Sequence, residues 1–508
     1  MKSTAVVGSF TLMSRILGFI RDMVIAYVFG ASASVRADAF LIAFKIPNFM
    51  RRLFAEGAFS QAFIPILSEY KTQRSQEDVQ QLANYVAGNL GGVLVLVTIT
   101  GVLAAPLLVL LFAPGFIDHQ EKYDLTVSML QITFPYLLFI ALTAFAGSLL
   151  NTYGKFAVPA FTPVLLNVAL IIAALWGAPY FDEPVMALAW GVFIAGIVQL
   201  AFQFPFLYRL GLVPRPKINR HDEGVKRIHK LMLPALFGVS VSQINLLIDT
   251  LMASFLATGS VAWLYYSDRL MEFPVGVFGL ALATVILPNL SKTVAQQDFD
   301  TYSRTLDWGL RWVFLIATPA TIALMILSVP IMATLFHHGE FSEHDVLMSA
   351  SSLVVYAIGL TGFVFIKVLA SGFYSRQDTR TPVKIAVIAM ITNMILNLLF
   401  IIPLQHVGLA LATSLAALLN ALLLFRGLRQ QGMFQLQPGW KAFLTRIAIA
   451  TLCMAGLLWW GIGANEQWLK MDIIERAIQL GVWITSGIGV YFGILFGLGV
   501  RLKDILLK

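Results

Sequence analysis

Apolar runs of about 20 residues, separated by short polar turns, repeat along the entire chain. LGGVLVLVTITGVLAAPLLVLLF (90–112) is representative. Such runs predict fourteen helices, at 5–29, 36–53, 82–112, 125–150, 158–178, 185–208, 231–257, 262–290, 308–335, 347–374, 382–402, 407–428, 442–463 and 474–499. The second is the least regular, because Asp38, Lys45 and Pro47 interrupt it. No stretch is left over for a soluble domain. The pattern therefore predicts an all-α polytopic membrane protein with 14 transmembrane helices.

The turns between these helices carry an orientation signal. Arg51, Arg52, Lys71 and Arg74 follow the second span, and Arg209, Arg215, Lys217, Arg220, Lys226, Arg227 and Lys230 follow the sixth. Lys292 and Arg304 follow the eighth, Arg376, Arg380 and Lys384 the tenth, and Arg426, Arg429, Lys441 and Arg446 the twelfth. The tail adds Arg501, Lys503 and Lys508. The alternate turns hold only Arg36, Lys122, Lys470 and Arg476, among acids such as Asp118, Glu121, Asp182, Glu183, Glu340 and Glu343. By the positive-inside rule both termini are expected in the cytoplasm. An odd number of spans would break this alternation.

Composition agrees. The 508 residues are 58% hydrophobic and only 12% charged, against about 45–50% and about 25% in soluble domains. The net charge of +8 reads as cytoplasmic loop cations beside anionic lipid, with no nucleic-acid partner. The single cysteine, Cys453, excludes an intrachain disulfide framework and reads as a small core residue. The first apolar segment is long, contains arginines and lacks a small-residue cleavage site, so it reads as a retained helix. No G-x-x-x-x-G-K-[ST] motif and no nucleophile–base constellation occurs, so the chain does not read as an enzyme.

The two halves resemble each other. IPILSEYK (64–71) matches LPNLSKTV (287–294), and TPVLLN (162–167) matches TPVKIA (381–386), at almost equal spacing. This predicts a duplication with copies near 1–215 and 226–430, six spans in each. Six spans return the chain to its starting side, so the two six-helix lobes should be related by a parallel pseudo-two-fold along the membrane normal. The expected domains are an N-lobe at 1–215, a basic connector at 216–230 lying on anionic headgroups, a C-lobe at 231–430, and two extra C-terminal helices within 431–508.

Charges inside these helices are expensive, about 2.5–3.5 kcal/mol each at a helix centre on insertion scales. In the first helix Gly8, Thr11, Arg15, Gly18 and Asp22 share one stripe at 100° per residue, and Arg21 lies off it. In the second, Asp38, Lys45 and Arg52 form a seam, with Arg51 and Glu56 near its end. YYSDRLMEFPVGVFG (265–279) sets Tyr265, Arg269, Glu272 and Gly276 on one face, beside Asp268 and a bend at Pro274. Lys367 lies in the tenth span. The set predicts facing walls of one cavity between the lobes. Internal ion pairs, Arg15 to Asp22 and Arg269 to Glu272, are the competing reading for any single residue. Arginine, charged at any pH and bidentate toward phosphate, tilts the chemistry toward an anionic substrate.

Asp249 stands alone in the apolar run INLLIDTLMASF. With Asn393 and Asn397 it is the candidate site for a Na⁺ or H⁺ coupling ion, a protonated or helix-paired aspartate being the alternative. HHGEFSEHD (337–345) lacks metal-site spacing. No other cofactor and no resident metal are expected.

SRILGFIRD (14–22), ADAFLIAFKIPNFMRRLFAEGAFSQAFIPILSEY (37–70), YYSDRLMEFPVGVFGLALATVILPNLSK (265–292) and GFYSRQDTRTPVKIA (372–386) closely resemble the MurJ (MviN) family, peptidoglycan lipid II flippases of Gram-negative bacteria. The resemblance is weakest in the last two spans and the extracytoplasmic loops. It implies a member of the multidrug/oligosaccharidyl-lipid/polysaccharide exporter superfamily, with two six-helix lobes around a central cavity. It implies export of undecaprenyl-pyrophosphate-linked MurNAc-pentapeptide-GlcNAc from the cytoplasmic to the periplasmic leaflet of the inner membrane. It further implies pyrophosphate binding by Arg15, Arg21, Arg51 and Arg269, cavity acids at Asp22, Asp38 and Glu272, and a lipid-tail groove at the last two helices, rimmed here by Trp459, Trp460 and Trp468. Arg36, in GASASVRAD, departs from the shorter uncharged turn the family pattern leads one to expect.

The expected function is thus alternating-access flipping of lipid II for cell-wall synthesis and cell shape, driven by membrane potential, an ion gradient or both. Membrane lipids and other cell-wall synthesis proteins are the expected partners. The rivals are a flippase for another polyprenyl-linked glycan, a drug or cation exporter of the same superfamily, and a non-transporting membrane scaffold for cell-wall synthesis.

Overall fold

The computed structural model describes the backbone of residues 2–32, 35–52 and 59–500, and their side chains except at residues 2–5, 61, 233–246 and 280. Glu56, Arg501, Lys503 and Lys508 lie outside the described residues. Every regular element among the described residues is helical. By packing, the chain divides after Gly259.

Unit 1 contains α1 (Lys2–Phe29), α2 (Arg36–Arg51), α3 (Ser60–Gln73), α4 (Gln76–Leu103), α5 (Ala105–Phe112), α6 (Gln120–Thr133), α7 (Tyr136–Thr152), α8 (Ala157–Ile172), α9 (Met186–Arg209) and α10 (Glu223–Ala253). Unit 2 contains α11 (Ser260–Pro274), α12 (Leu280–Ala295), α13 (Phe299–Ile326), α14 (Ser328–Phe336), α15 (Glu343–Tyr374), α16 (Arg380–Gln430), α17 (Trp440–Ile462), α18 (Asn465–Lys470) and α19 (Ile473–Gly497). Ten helical runs among the described residues are long and apolar enough to cross a membrane. The chain is therefore a multi-span helical membrane protein.

Local chemistry sets where these helices begin and break. Ser75 with Asp78 and Ser342 with Asp345 form capping boxes that start α4 and α15, and Asp222 and Asp298 cap α10 and α13 by binding first-turn amides. The step from α4 to α5 occurs at Ala104 (φ −87°, ψ 8°), just before Pro106. The step from α13 to α14 occurs at Leu327 (φ −88°, ψ 8°), just before Pro330. Leu327 follows Ala104 by the same number of positions as Pro288 follows Pro65, the offset of the sequence repeat. Pro274 ends α11, and a π-helical turn over Val275–Gly279 joins it to α12, a local bend of the kind proline produces.

The 51-residue α16 is two helices. Gln405 leaves helical geometry (φ 51°, ψ −131°), and Asn393 Nδ2 donates to Thr413 Oγ1 at 3.2 Å. A bond between residues on opposite sides of the break requires the two halves to lie alongside each other. Small residues allow close helix contact nearby: a Cβ on Gly359 or Gly362 of α15 would fall on Ser414 or Ala417 of α16, the small-residue packing typical of membrane helices.

In unit 1, Phe59, Phe63, Leu67 and Tyr70 of the α3 segment pack into a core with Leu82, Val86, Phe145 and Leu149. In unit 2, α17 and α19 pack on α13 through Leu315, Phe443, Ile447, Leu458 and Leu495, and Tyr491 donates its hydroxyl to the Leu315 carbonyl at 2.7 Å. Asp307 ties the approach to α17, accepting from Trp440 Nε1 at 2.6 Å and from the Gln437 amide at 3.0 Å. Three sequence expectations change here. Cys453 is exposed on α17 rather than buried in a core. Trp468 is fully buried, its indole N–H donating to the Ile462 carbonyl, so it is no rim residue, whereas Trp459 and Trp460 are exposed. Arg476, assigned to a loop by its position, is buried and donates to the carbonyls of Ala333, His337 and Leu469, where helix C-terminal dipoles favour a cation.

The basic connector is strapped along α4. The Lys217 amide donates to the Asn84 carbonyl at 3.0 Å and the Arg215 amide to Asn84 Oδ1 at 2.6 Å. Gln80 and Asn89 donate to the carbonyls of Val213 and Asn219. Gly88 lets the strap approach, since a Cβ there would strike the Lys217 backbone. Beyond it, Arg227 of α10 forms a bidentate pair with Glu69 of α3, at 2.8 and 2.6 Å. This hydrogen-bonded guanidinium holds the Glu69 carboxyl below the usual carboxylate range, against a smaller opposing effect of burial.

Candidate functional site

The ionised side chains predicted from the sequence fall into a set in each unit. In unit 1, Arg15 is exposed on α1 and, among the described residues, makes no hydrogen bond or ion pair. The expected Arg15–Asp22 pair does not form. Asp22 is instead buried against its neighbour Arg21, whose Nε lies 2.9 Å from Asp22 Oδ1. Arg21 is itself 8% exposed, and its Nη1 donates to Asn167 Oδ1 on α8 at 3.1 Å. Asn167 returns its amide to the Ser14 carbonyl at 3.0 Å. The off-stripe position of Arg21 is thus explained by the α1–α8 interface.

On α2, Asp38 is completely buried. Its Oδ2 accepts from Lys122 Nζ of α6 at 2.7 Å and from the Gly259 amide at 2.9 Å. Lys122, read from the sequence as a loop cation, is 2% exposed and sits 4.1 Å from the centroid of the Phe116 ring. Half-buried Lys45 lies further along α2, and Arg51 donates from Nε to Asn48 Oδ1 at 2.8 Å. Arg52 is exposed just past the end of α2. Arg36 meets Glu183 in an exposed pair at 3.2 Å, of a kind worth about 0–1 kcal/mol. Asp249 lies half-buried near the end of α10.

In unit 2, Arg269 and Glu272 pair one turn apart on α11, with Arg269 Nη1 3.5 Å from Glu272 Oε2. Asp268 is half-buried beside them. Lys367 is exposed on α15, its stem close to Gly279 in the π turn. On α16, Asn397 Nδ2 donates to Asn393 Oδ1 at 3.0 Å and Asn393 to Thr413. The polar loop 337–345 is used for folding: Asp345 caps α15 and its Oδ1 accepts from Trp263 Nε1 at 2.8 Å, and His338 bonds the Thr334 carbonyl. No group of three His, Cys, Asp or Glu side chains able to hold a metal occurs among the described residues.

The arrangement separates two kinds of charge. Buried pairs, Arg21–Asp22 and Asp38–Lys122, are satisfied by fixed partners, as charges in a low-dielectric interior require. Arg15, exposed and without a partner among the described residues, keeps its donors available to an anion. Asn167 and Lys122 were not legible as site residues. Asn167 sits within an apolar helix, and Lys122 lies before the apolar part of its span.

The family model described as "Lipid II flippase MurJ" matches residues 25–478. A probable lipid II flippase MurJ of Vibrio cholerae is 48% identical, with 99% of this chain and 97% of that protein covered. The corresponding protein of Haemophilus influenzae is 47% identical over 98% of this chain and 100% of its own length. The lipid II flippase MurJ of Burkholderia cenocepacia is 44% identical over 97% and 96%. Among solved structures, an inward closed conformation of lipid II flippase MurJ superposes with a TM-score of 0.81 at 28% identity, covering 96% of this chain and 98% of that one. An inward-facing multidrug resistance transporter of the MATE family matches with a TM-score of 0.67 at 16% identity, covering 84% and 97%, a likeness of fold alone. With a family model spanning most of its length and relatives close to half identical from end to end, this chain belongs to the lipid II flippase MurJ family.

Proposed function

We infer that this chain is a lipid II flippase of the bacterial inner membrane, a transporter rather than an enzyme. Its full-length kinship with the MurJ family carries the reading. We propose fourteen spans with both termini cytoplasmic, supported by the alternation of basic turns and by the division of α16 at Gln405. The matching breaks at Ala104 and Leu327 support a duplicated six-helix lobe with two added helices.

In this reading Arg15, Arg51 and Arg269 contribute donors to the pyrophosphate, and Arg21 with Asp22 sets the position of α1. Lys45, Arg52, Asp268, Glu272 and Lys367 supply the remaining charge near the headgroup. Export of a dianion runs down an inside-negative potential, about 2.3 kcal/mol per charge per 100 mV. Asp249, Asn393 and Asn397 are the candidate residues for a Na⁺ or H⁺ that resets the empty carrier. The π turn after Pro274 offers a place for α11 and α12 to bend during alternating access.

Depleting the protein and measuring lipid II in each leaflet tests the function. Lipid II should accumulate in the cytoplasmic leaflet. Accumulation of a different polyprenyl-linked glycan, or none, would overturn the reading.

A further inference from the structure

Lys122 has the lowest exposure of any cation among the described residues, 2%, and its Nζ lies 2.7 Å from Asp38 Oδ2. Both side chains are removed from water, so the ammonium and the carboxylate compensate each other's charge in the interior. The two donors share one oxygen. Lys122 Nζ and the Gly259 amide both reach Asp38 Oδ2, at 2.7 and 2.9 Å. The ammonium thereby fixes the carboxylate rotamer at which that oxygen meets the Gly259 amide. Gly259 has φ 98°, a conformation other residues seldom adopt. A second bond holds the same segment: the Gly115 amide donates to Ser254 Oγ at 3.1 Å. Gly115 approaches so closely that a Cβ would strike the Ser254 backbone. The stretch 254–259, which leads out of α10, is thus pinned at both ends to the turn 114–118, α2 and α6.

We propose that Lys122 is a positioning residue for transport, holding Asp38 so that it clasps the Gly259 amide in one state of the cycle and releases it in the other. The proposal rests on the alternating-access reading and on the proposed topology, under which the starts of α2 and α6 and the end of α10 all face the extracytoplasmic side. A dry clasp of this kind suits a two-state element. It is well satisfied when closed, and each polar group finds water when open. It also closes on the residue where unit 1 ends, so its release frees the chain entering α11.

The test places a cysteine at Ala37, buried beside Asp38, in a chain with Cys453→Ser. Labelling by a membrane-impermeant maleimide is measured on cells, and lipid II flipping on the same protein in vesicles. Lys122→Met should label roughly tenfold faster than the parent, because the buried carboxylate loses the ammonium that orients it toward the Gly259 amide, and should lose flipping. The pair Asp38→Lys with Lys122→Asp keeps the opposite charges but removes the acceptor for the Gly259 amide. It should reach the membrane at the parental level, label fast and fail to flip. If the exchanged pair labels and flips like the parent, the pair is only a structural tie and the proposal is wrong. Parental labelling in Lys122→Met would overturn it as well. Labelling needs no substrate, so a parent that fails to flip lipid II would refute the flippase reading without touching the clasp.

Discussion

Arg21 of α1 and Asn167 of α8 hold each other through a bond from Nη1 to Oδ1 at 3.1 Å. The asparagine has its second partner at the Ser14 carbonyl, about two turns before Arg21 on the stripe-bearing helix. One side chain on α8 therefore sets both the depth and the rotation of α1. Asn167→Leu should cost about 1.5–3 kcal/mol, the range for a lost hydrogen bond to a charged group. Thermal unfolding in detergent should show the loss, and flipping in vesicles should fall with it.

Arg15 should behave differently. It is exposed and has no partner among the described residues, so Arg15→Ala should change stability by no more than about 0.5 kcal/mol. Flipping should nevertheless be lost. Arg15→Lys keeps the charge but not the two-pronged donor, and should give intermediate activity. An Arg15→Ala protein that flips lipid II normally would remove Arg15 from the binding set.

Acid should weaken the tie between α3 and α10. Glu69 titrates below the ordinary carboxylate value because Arg227 binds its ionised form. The stabilisation is therefore present above the unfolded-state pKa and lost as pH falls through the lowered folded value. Asp298 and Asp378 shift the same way, each chiefly through a side-chain hydrogen bond from a nearby threonine. Melting temperatures measured from neutral to acidic pH should converge for the parent and Glu69→Gln at the acidic end. A gap that persisted there would contradict the assignment.

Gly88→Leu should displace the strap 213–219, since a side chain at that position meets the Lys217 backbone. Trypsin should then cut after Lys217 in inverted vesicles, with the parent resistant there.

Much of this was legible in the chain. Each of the ten membrane-length helical runs among the described residues overlaps a predicted apolar run, whereas α3 lies where none was predicted, and the stripe on α1 carries one exposed cation and one buried acid. Pairing between helices was not legible. Periodicity reports which residues share a face of one helix, not what the neighbouring helix offers. Asp22 chose Arg21 over Arg15 because Asn167 holds the Arg21 guanidinium at the interface. By position Lys122 and Arg476 read as loop cations, yet both are interior, one paired with Asp38 and the other hydrogen-bonded to helix-end carbonyls. Cys453 shows the reverse error. In a membrane helix an apolar neighbourhood does not distinguish a face turned to lipid from one turned to protein.

The break at Gln405 bears on how the protein is made. The residues around it, FIIPLQHVGLA (400–410), contain no Lys, Arg, Asp or Glu, and Asn393 and Thr413 already bond across it. A reversal with no charged loop gives the translocation machinery nothing to hold on either side. The two halves of α16 should therefore leave the translocon together, as a preformed hairpin. Lengthening that turn with a charged or glycosylated insert would separate their insertion in time. Asn393 would then enter lipid before its partner had been synthesised.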